Sequence, residues 1–139
     1  MHFRKMSPEL AAKLRADYPL IFAVKPPLES EDADVPVLPS PFAIWGFECG
    51  DGWCGLLDAL CLSLQHATTK YGSPQVIASQ VKEKFGGLRF YTCGHDAYQD
   101  GMIELAAAMS VRICEVCGNR GRIVRNGWIK TRCVEHEEV

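Results

Sequence analysis

The chain has 139 residues, enough for one domain with a core of its own. Hydrophobic residues make up 47%, charged residues 23%, and the formal net charge is −2. That balance excludes a strongly basic nucleic-acid coat and a disordered acidic tail as descriptions of the whole.

Charge is unevenly placed. Residues 1–25 sum to +3, while residues 26–69 hold seven acids and no Lys or Arg. Residues 70–133 carry ten bases against five acids, and the last six residues add −3. A two-faced surface is expected if these blocks map onto patches. Met1 to Lys25 carries charges and no apolar run of the kind a secretory signal needs, and no segment approaches a membrane span.

The first element expected is a short helix in an N-terminal segment, 1–24. Ser7-Pro8-Glu9 supplies a capping hydroxyl, a first-turn proline and an acid near the helix dipole. Leu10, Ala11, Leu14 and Tyr18 give its apolar stripe. Residues 25–41 follow as a proline-rich acidic connector, which cannot continue a helix or enter a central strand. The rest, 42–139, reads as an α+β domain.

Phe42–Phe47 reads as a short strand and Glu48–Gly52 as a turn, with Asp51 as N-cap. Trp53, Leu56, Leu57, Leu60, Cys61 and Leu64 recur at helical spacing, so a helix is expected over 52–70, closed by Gly72-Ser73-Pro74. Residues 75–93 read as a hairpin turning at Gly86-Gly87, which would pair Phe85 with Leu88, Lys84 with Arg89 and Lys82 with Tyr91. Alternation then puts Val81, Phe85, Leu88 and Phe90 on a core face. Lys82, Lys84, Arg89 and Tyr91 form a basic plane with an aromatic in it. Glu83 falls on the apolar side without an explanation. Asp96 and Gln99 spell a capping box for a second long helix carrying Tyr98, Met102, Leu105 and Met109 along one face.

The end of the chain carries the sharpest signal. Cys114-Glu115-Val116-Cys117, fifteen residues, then Cys133-Val134-Glu135-His136 supplies four ligands in two tight bites. That is the closed Cys3His set structural zinc prefers, with no coordination place left for water or substrate. Asn126-Gly127 marks a hairpin between the pairs. A zinc ribbon or treble-clef-like module is expected over 114–136. Thiolate ligands without a signal peptide suit a reducing, cytoplasmic setting, where Cys49, Cys54, Cys61 and Cys93 would be free, mostly buried thiols.

Arg120, Arg122, Arg125, Lys130 and Arg132 crowd this hairpin beside Trp128, with guanidiniums for phosphates and a ring for stacking. An enzyme is the weaker expectation. A His-Asn-His nuclease needs a histidine near the cysteine pairs, and none lies between Cys117 and Cys133. Cys93-Gly94-His95 admits a cysteine nucleophile, and Cys49, Cys54, Cys93 and His95 admit a second metal site, although neither spacing matches a standard motif. The glycines of 50–55 match no phosphate-cradling loop.

Three segments, FECGDGWCGLLDALC (47–61), QVKEKFGGLRFY (80–91) and ICEVCG…GWIKTRCVEH (113–136), resemble a family of small uncharacterised proteins of bacteria and of phages or prophages. The resemblance covers about residues 45–136. It implies no activity, and its setting suits an accessory role such as binding or blocking a host machine. The reading is a non-enzymatic, zinc-stabilised module that engages nucleic acid or a host nucleoprotein complex through Lys82, Lys84, Arg89, Tyr91 and the zinc-hairpin bases. The alternative is a protein-binding inhibitor that docks through Glu29, Glu31, Asp32, Asp34, Glu48 and Asp51.

Overall fold

The computed structural model of the protein describes residues 4–24 and 38–139. Helix α1 (Pro8–Asp17) starts where Ser7-Pro8-Glu9 places it, with Glu9 beside the dipole. The Ser7 hydroxyl makes no cap. Its backbone N–H instead donates to Asp51 Oδ1 at 2.7 Å, fastening the helix start to a distant loop. Leu14, Tyr18, Ile21 and Phe22 are buried in the same core as the later elements. The Tyr18 hydroxyl donates to the Asp58 carboxylate at 2.7 Å, and the Ile21 carbonyl accepts from the Ala78 amide at 2.7 Å.

Most of the acidic connector lies outside the described residues, and its end differs from expectation. Phe42–Phe47 does not form a strand: Pro41–Trp45 is a short helix, α2. The Ser40 hydroxyl accepts from the Ala43 amide at 3.1 Å, Pro41 presets the first turn, and Gly46 ends it at φ 65°. Only Phe47–Glu48 stays extended, as β1. Asp51 does not cap the next helix either. It sits inside a 3₁₀ turn, Asp51–Trp53, that feeds α3 (Cys54–Tyr71). Leu57, Leu60, Cys61 and Leu64 form the buried stripe of α3, and Gly72 closes it in the left-handed region.

Strands β2 (Ile77–Lys84) and β3 (Gly87–Cys93) form the expected hairpin, and β1 adds to β2 in parallel, giving the order β1-β2-β3. Helix α3 is the crossover that a parallel pair needs. The turn is Phe85-Gly86, not Gly86-Gly87, with φ of 53° and 81°. Lys84 therefore opposes Gly87, Lys82 opposes Arg89 and Gln80 opposes Tyr91. Each strand keeps its own alternation, so Val81, Leu88 and Phe90 still face the core. Phe85 does not, and its ring is exposed at the turn. Glu83 now has its explanation: Oε1 accepts from the Gly86 amide at 3.0 Å and holds the turn.

Helix α4 (Ala97–Ser110) opens with the complete Asp96–Gln99 capping box and packs on α3 and β3. Strands β4 (Arg122–Asn126) and β5 (Trp128–Arg132) form a second sheet that turns at Gly127, with Arg125 opposite Ile129. The fold is α+β, with helices packed on a small sheet and a hairpin flanked by the Cys/His pairs at the C-terminal end. An aromatic cluster of Phe22, Phe42, Phe47 and Phe90 centres the core, with neighbouring centroids 4.9–6.4 Å apart. Among the described residues no helix is long and apolar enough to cross a membrane.

Candidate metal centre

The end that carries the Cys3His set begins as α4 unwinds. Ile113 bridges Arg120 in a tiny antiparallel loop, inside which the Cys114 carbonyl accepts from the Gly118 amide at 2.9 Å. The Cys114 amide donates to the Asn119 carbonyl at 2.7 Å, and Gly118 takes the φ of 81° that this reversal requires. The second bite is a single turn after β5, where the His136 amide donates to the Cys133 carbonyl at 3.1 Å. The two turns face each other.

Ligand atoms of Cys114, Cys117, Cys133 and His136 all lie within 4.8 Å of one another. Cys117 Sγ is 3.7 Å from Cys133 Sγ, and His136 Nδ1 is 3.8 Å from Cys114 Sγ and 3.1 Å from Cys133 Sγ. A tetrahedron built on metal–sulfur bonds of about 2.3 Å has edges of about 3.8 Å. The four side chains can thus hold a metal ion, with imidazole Nδ1 as the nitrogen ligand. Burial pushes the Cys114 thiol up, but the backbone amides of Cys117, Cys133 and Val116 outweigh it and draw the thiol down to about 6. A thiolate is the ligand form, so the backbone favours binding.

The glycine-rich 50–53 loop is the partner of this centre, a role no local pattern in the sequence exposes. The Gly52 amide donates to the Glu115 carbonyl and the Gly50 amide to Glu115 Oε2, each at 2.9 Å, and Trp53 Nε1 donates to the Ile113 carbonyl at 2.9 Å. A Cβ on Gly52 would meet the Cys114 carbonyl oxygen at 2.1 Å. The Phe85-Gly86 turn meets β5 in the same way, the Thr131 hydroxyl donating to the Gly86 carbonyl at 2.6 Å. Residues 50–53 and the Phe85-Gly86 turn therefore both meet the 113–136 module.

Buried charge completes the joint. Glu115 and Arg132 are 2% and 3% exposed and pair at 3.2 Å. Burial pushes the Glu115 carboxyl up; the Gly50 amide and Arg132 act the other way. Of the bases expected at a binding face, Lys130 and Arg132 are thus interior, with the Lys130 ammonium 4.8 Å over the Trp128 ring. Arg120, Arg122 and Arg125 are exposed, and Arg122 is paired with Glu137. On the three-stranded sheet Lys84 and Tyr91 are exposed, while Lys82 and Arg89 are half-buried. Glu48, read as part of an acidic strip, instead lines up with Lys82 and Arg89 in one row across the sheet. Asp51 is engaged by Ser7, and Glu29, Glu31, Asp32 and Asp34 lie outside the described residues.

The remaining cysteines are dispersed. Cys49 and Cys61 are buried, and burial pushes both thiols well above the ordinary range, while Cys93 is exposed. His95 bonds through Nδ1 to the Thr92 hydroxyl at 2.8 Å and faces Asp100 with Nε2. Cys49, Cys54, Cys93 and His95 form no second cluster; among the described residues the Cys3His group stands alone as a metal-ligand set. Comparison with known proteins finds no matching family model, no matching curated protein and no matching solved structure.

Proposed function

We propose that the Cys3His centre holds structural zinc and that the protein is a non-enzymatic binding module for nucleic acid or a host nucleoprotein complex. The observation that carries this reading is the closed ligand set joined to the core on two sides. Four protein ligands complete a tetrahedron, and three thiolates with one imidazole are the donors zinc takes in such sites. An ion so enclosed acts as a staple. The outward-facing chemistry beside it is basic and aromatic: Arg120, Arg122 and Arg125 on the module, Lys84 and Tyr91 on the neighbouring sheet. Exposed guanidiniums and rings of this kind take phosphates and stacked bases. The resemblance of 45–136 to bacterial and phage proteins adds the setting of a mobile-element accessory protein in a reducing cytoplasm.

Two measurements test this. Elemental analysis of protein purified without added metal should return one zinc per chain. Capture from bacterial lysate, with and without nuclease, then identifies the partner. Partners released by nuclease agree with a nucleic-acid contact. A defined protein complex that survives nuclease, with no direct oligonucleotide binding by the pure protein, would replace this reading with that of a protein-docking inhibitor.

A further inference from the structure

We propose that the cleft between helices α1 and α2 binds an organic carboxylate, an anion of two oxygens carried on an aromatic or aliphatic body. The cleft has a volume of ≈ 610 Å³, and Lys5, Ser7 and Arg15 line it together with Met6, Ile44 and Trp45. Small-molecule sites share that size and that mixture of apolar wall and few polar groups. No acidic residue stands in its wall among the described residues, and there the Arg15 and Lys5 side chains have no ion-pair or hydrogen-bond partner. Glu48 lines an adjoining cleft with Arg4, Lys5 and Trp45, where the two cations outnumber it. The positive charge between α1 and α2 is therefore unneutralised, unlike that of Arg122 and Arg132, which Glu137 and Glu115 pair.

Arg15 is held in place before any ligand arrives. Its guanidinium carbon lies 4.6 Å from the Phe42 ring centroid and 5.5 Å from that of Phe47, and a Cβ on Gly46 would meet its Nη2 at 3.2 Å. Two rings and a bare backbone fix the plane, so little ordering is left for the ligand to impose. Contact with the rings uses the face of the guanidinium and leaves its edge of N–H donors open. Covering the aromatic cluster accounts for that face, but not for an unspent donor edge on a half-buried side chain. The donors also select the anion. One guanidinium fork satisfies the two oxygens of a carboxylate. The α2 amides are spent within the helix start and end: Ala43 donates to Ser40 Oγ, Ile44 to the Ser40 carbonyl and Gly46 to the Phe42 carbonyl. They offer no row of free N–H groups of the kind that cradles phosphate. Trp45 and Ile44 are 58% and 54% exposed, and that apolar surface is what the body of the ligand would cover.

The test titrates the full chain with phenylacetate, its neutral analogue phenylacetamide and phenyl phosphate, following the Arg15 Nε–Hε and Trp45 indole N–H signals by NMR. Phenylacetate should shift both signals, and phenylacetamide should bind about tenfold or more weakly, the worth of one charge-assisted contact. Arg15→Lys, which keeps the charge without the fork, should weaken phenylacetate by about tenfold, and Trp45→Ala and Lys5→Gln, both at exposed side chains, should each weaken it several-fold. A tripeptide ending in phenylalanine, with its C-terminus free or amidated, separates the two sources of such a group. Tighter binding of the free-ended peptide than of phenylacetate assigns the cleft to a polypeptide's C-terminus; the reverse order assigns it to a free organic acid. Phenyl phosphate binding more tightly than phenylacetate overturns the choice of carboxylate. A urea midpoint that moves in Arg15→Lys, with no probe bound by wild type, overturns the site and leaves Arg15 as a cover for the Phe42 and Phe47 rings.

Discussion

Phe85 carries two unfavourable features at once: a left-handed backbone at φ 53° and a ring that is 65% exposed. A side chain other than Gly, Asn or Asp in that region costs on the order of 1–2 kcal/mol, and the Lys84 ammonium 5.6 Å over the ring returns only part of it. Phe85→Asn, the residue a turn with two positive φ angles prefers, should therefore raise stability by about 1 kcal/mol in urea unfolding. An unchanged or lower midpoint would mean that the ring makes compensating contacts. Gly52 presents the opposite case, because its missing Cβ is required by the Cys114 carbonyl against it. Gly52→Ala should cost about 3 kcal/mol through overpacking. Gly101→Ala, in open space on α4, should gain about 1 kcal/mol from helix propensity. Equal effects at the two glycines would refute the packing argument.

At the scale of elements, α3 and α4 were legible because each is long enough to show a period or carries a complete cap. The Asp96–Gln99 box also does more than its motif states. Gln99 is fully buried, and its Nε2 donates to the Pro74 carbonyl at 3.0 Å, joining α4 to the segment after α3. Asp96 has its carboxyl held below the ordinary range, chiefly by the Gln99 amide. A carboxyl depressed in the folded state contributes stability above its unfolded pKa of about 4 and loses it as pH falls through the folded value. Asp96→Asn keeps an acceptor for the cap but removes the titration, so acid unfolding followed by circular dichroism should become less steep below pH 4, with little change at pH 7. An acid limb identical to wild type would place the acid sensitivity elsewhere. Helix α2 and the β2–β3 turn were not legible for related reasons. Five residues, PFAIW, show no helical period, and their aromatic and branched content imitates a strand; the Ser40-Pro41 cap and the burial of Phe42 decide. Gly86-Gly87 looks like a turn, but Glu83 accepting the Gly86 amide draws the reversal one residue back onto Phe85.

For the whole molecule, the metal centre was readable as a ligand set but not as a joint. Cysteine and histidine spacing is local, whereas the use of Gly50, Gly52 and Trp53 depends on a carboxylate and carbonyls sixty or more residues later in the chain. That joint makes a prediction about metal removal. Structural zinc binding in small modules is worth roughly 10–16 kcal/mol, as much as a whole domain's net stability of about 5–15 kcal/mol. If zinc fills the site as proposed, its removal unanchors the turn at Cys114, and the amides of Gly50 and Gly52 lose the acceptors on Glu115. A strong chelator should therefore lower the melting temperature by roughly 10 °C or more. Hydrogen exchange should show lost protection in three places together: residues 113–136, the 50–53 loop and the Phe85-Gly86 turn. The α3–α4 pair, held by Gln99 and apolar contacts away from the centre, should exchange last. Protection lost only within 113–136 would instead make the module an independent appendage, and its hydrogen bonds to the glycine loop would then contribute little to the stability of the domain.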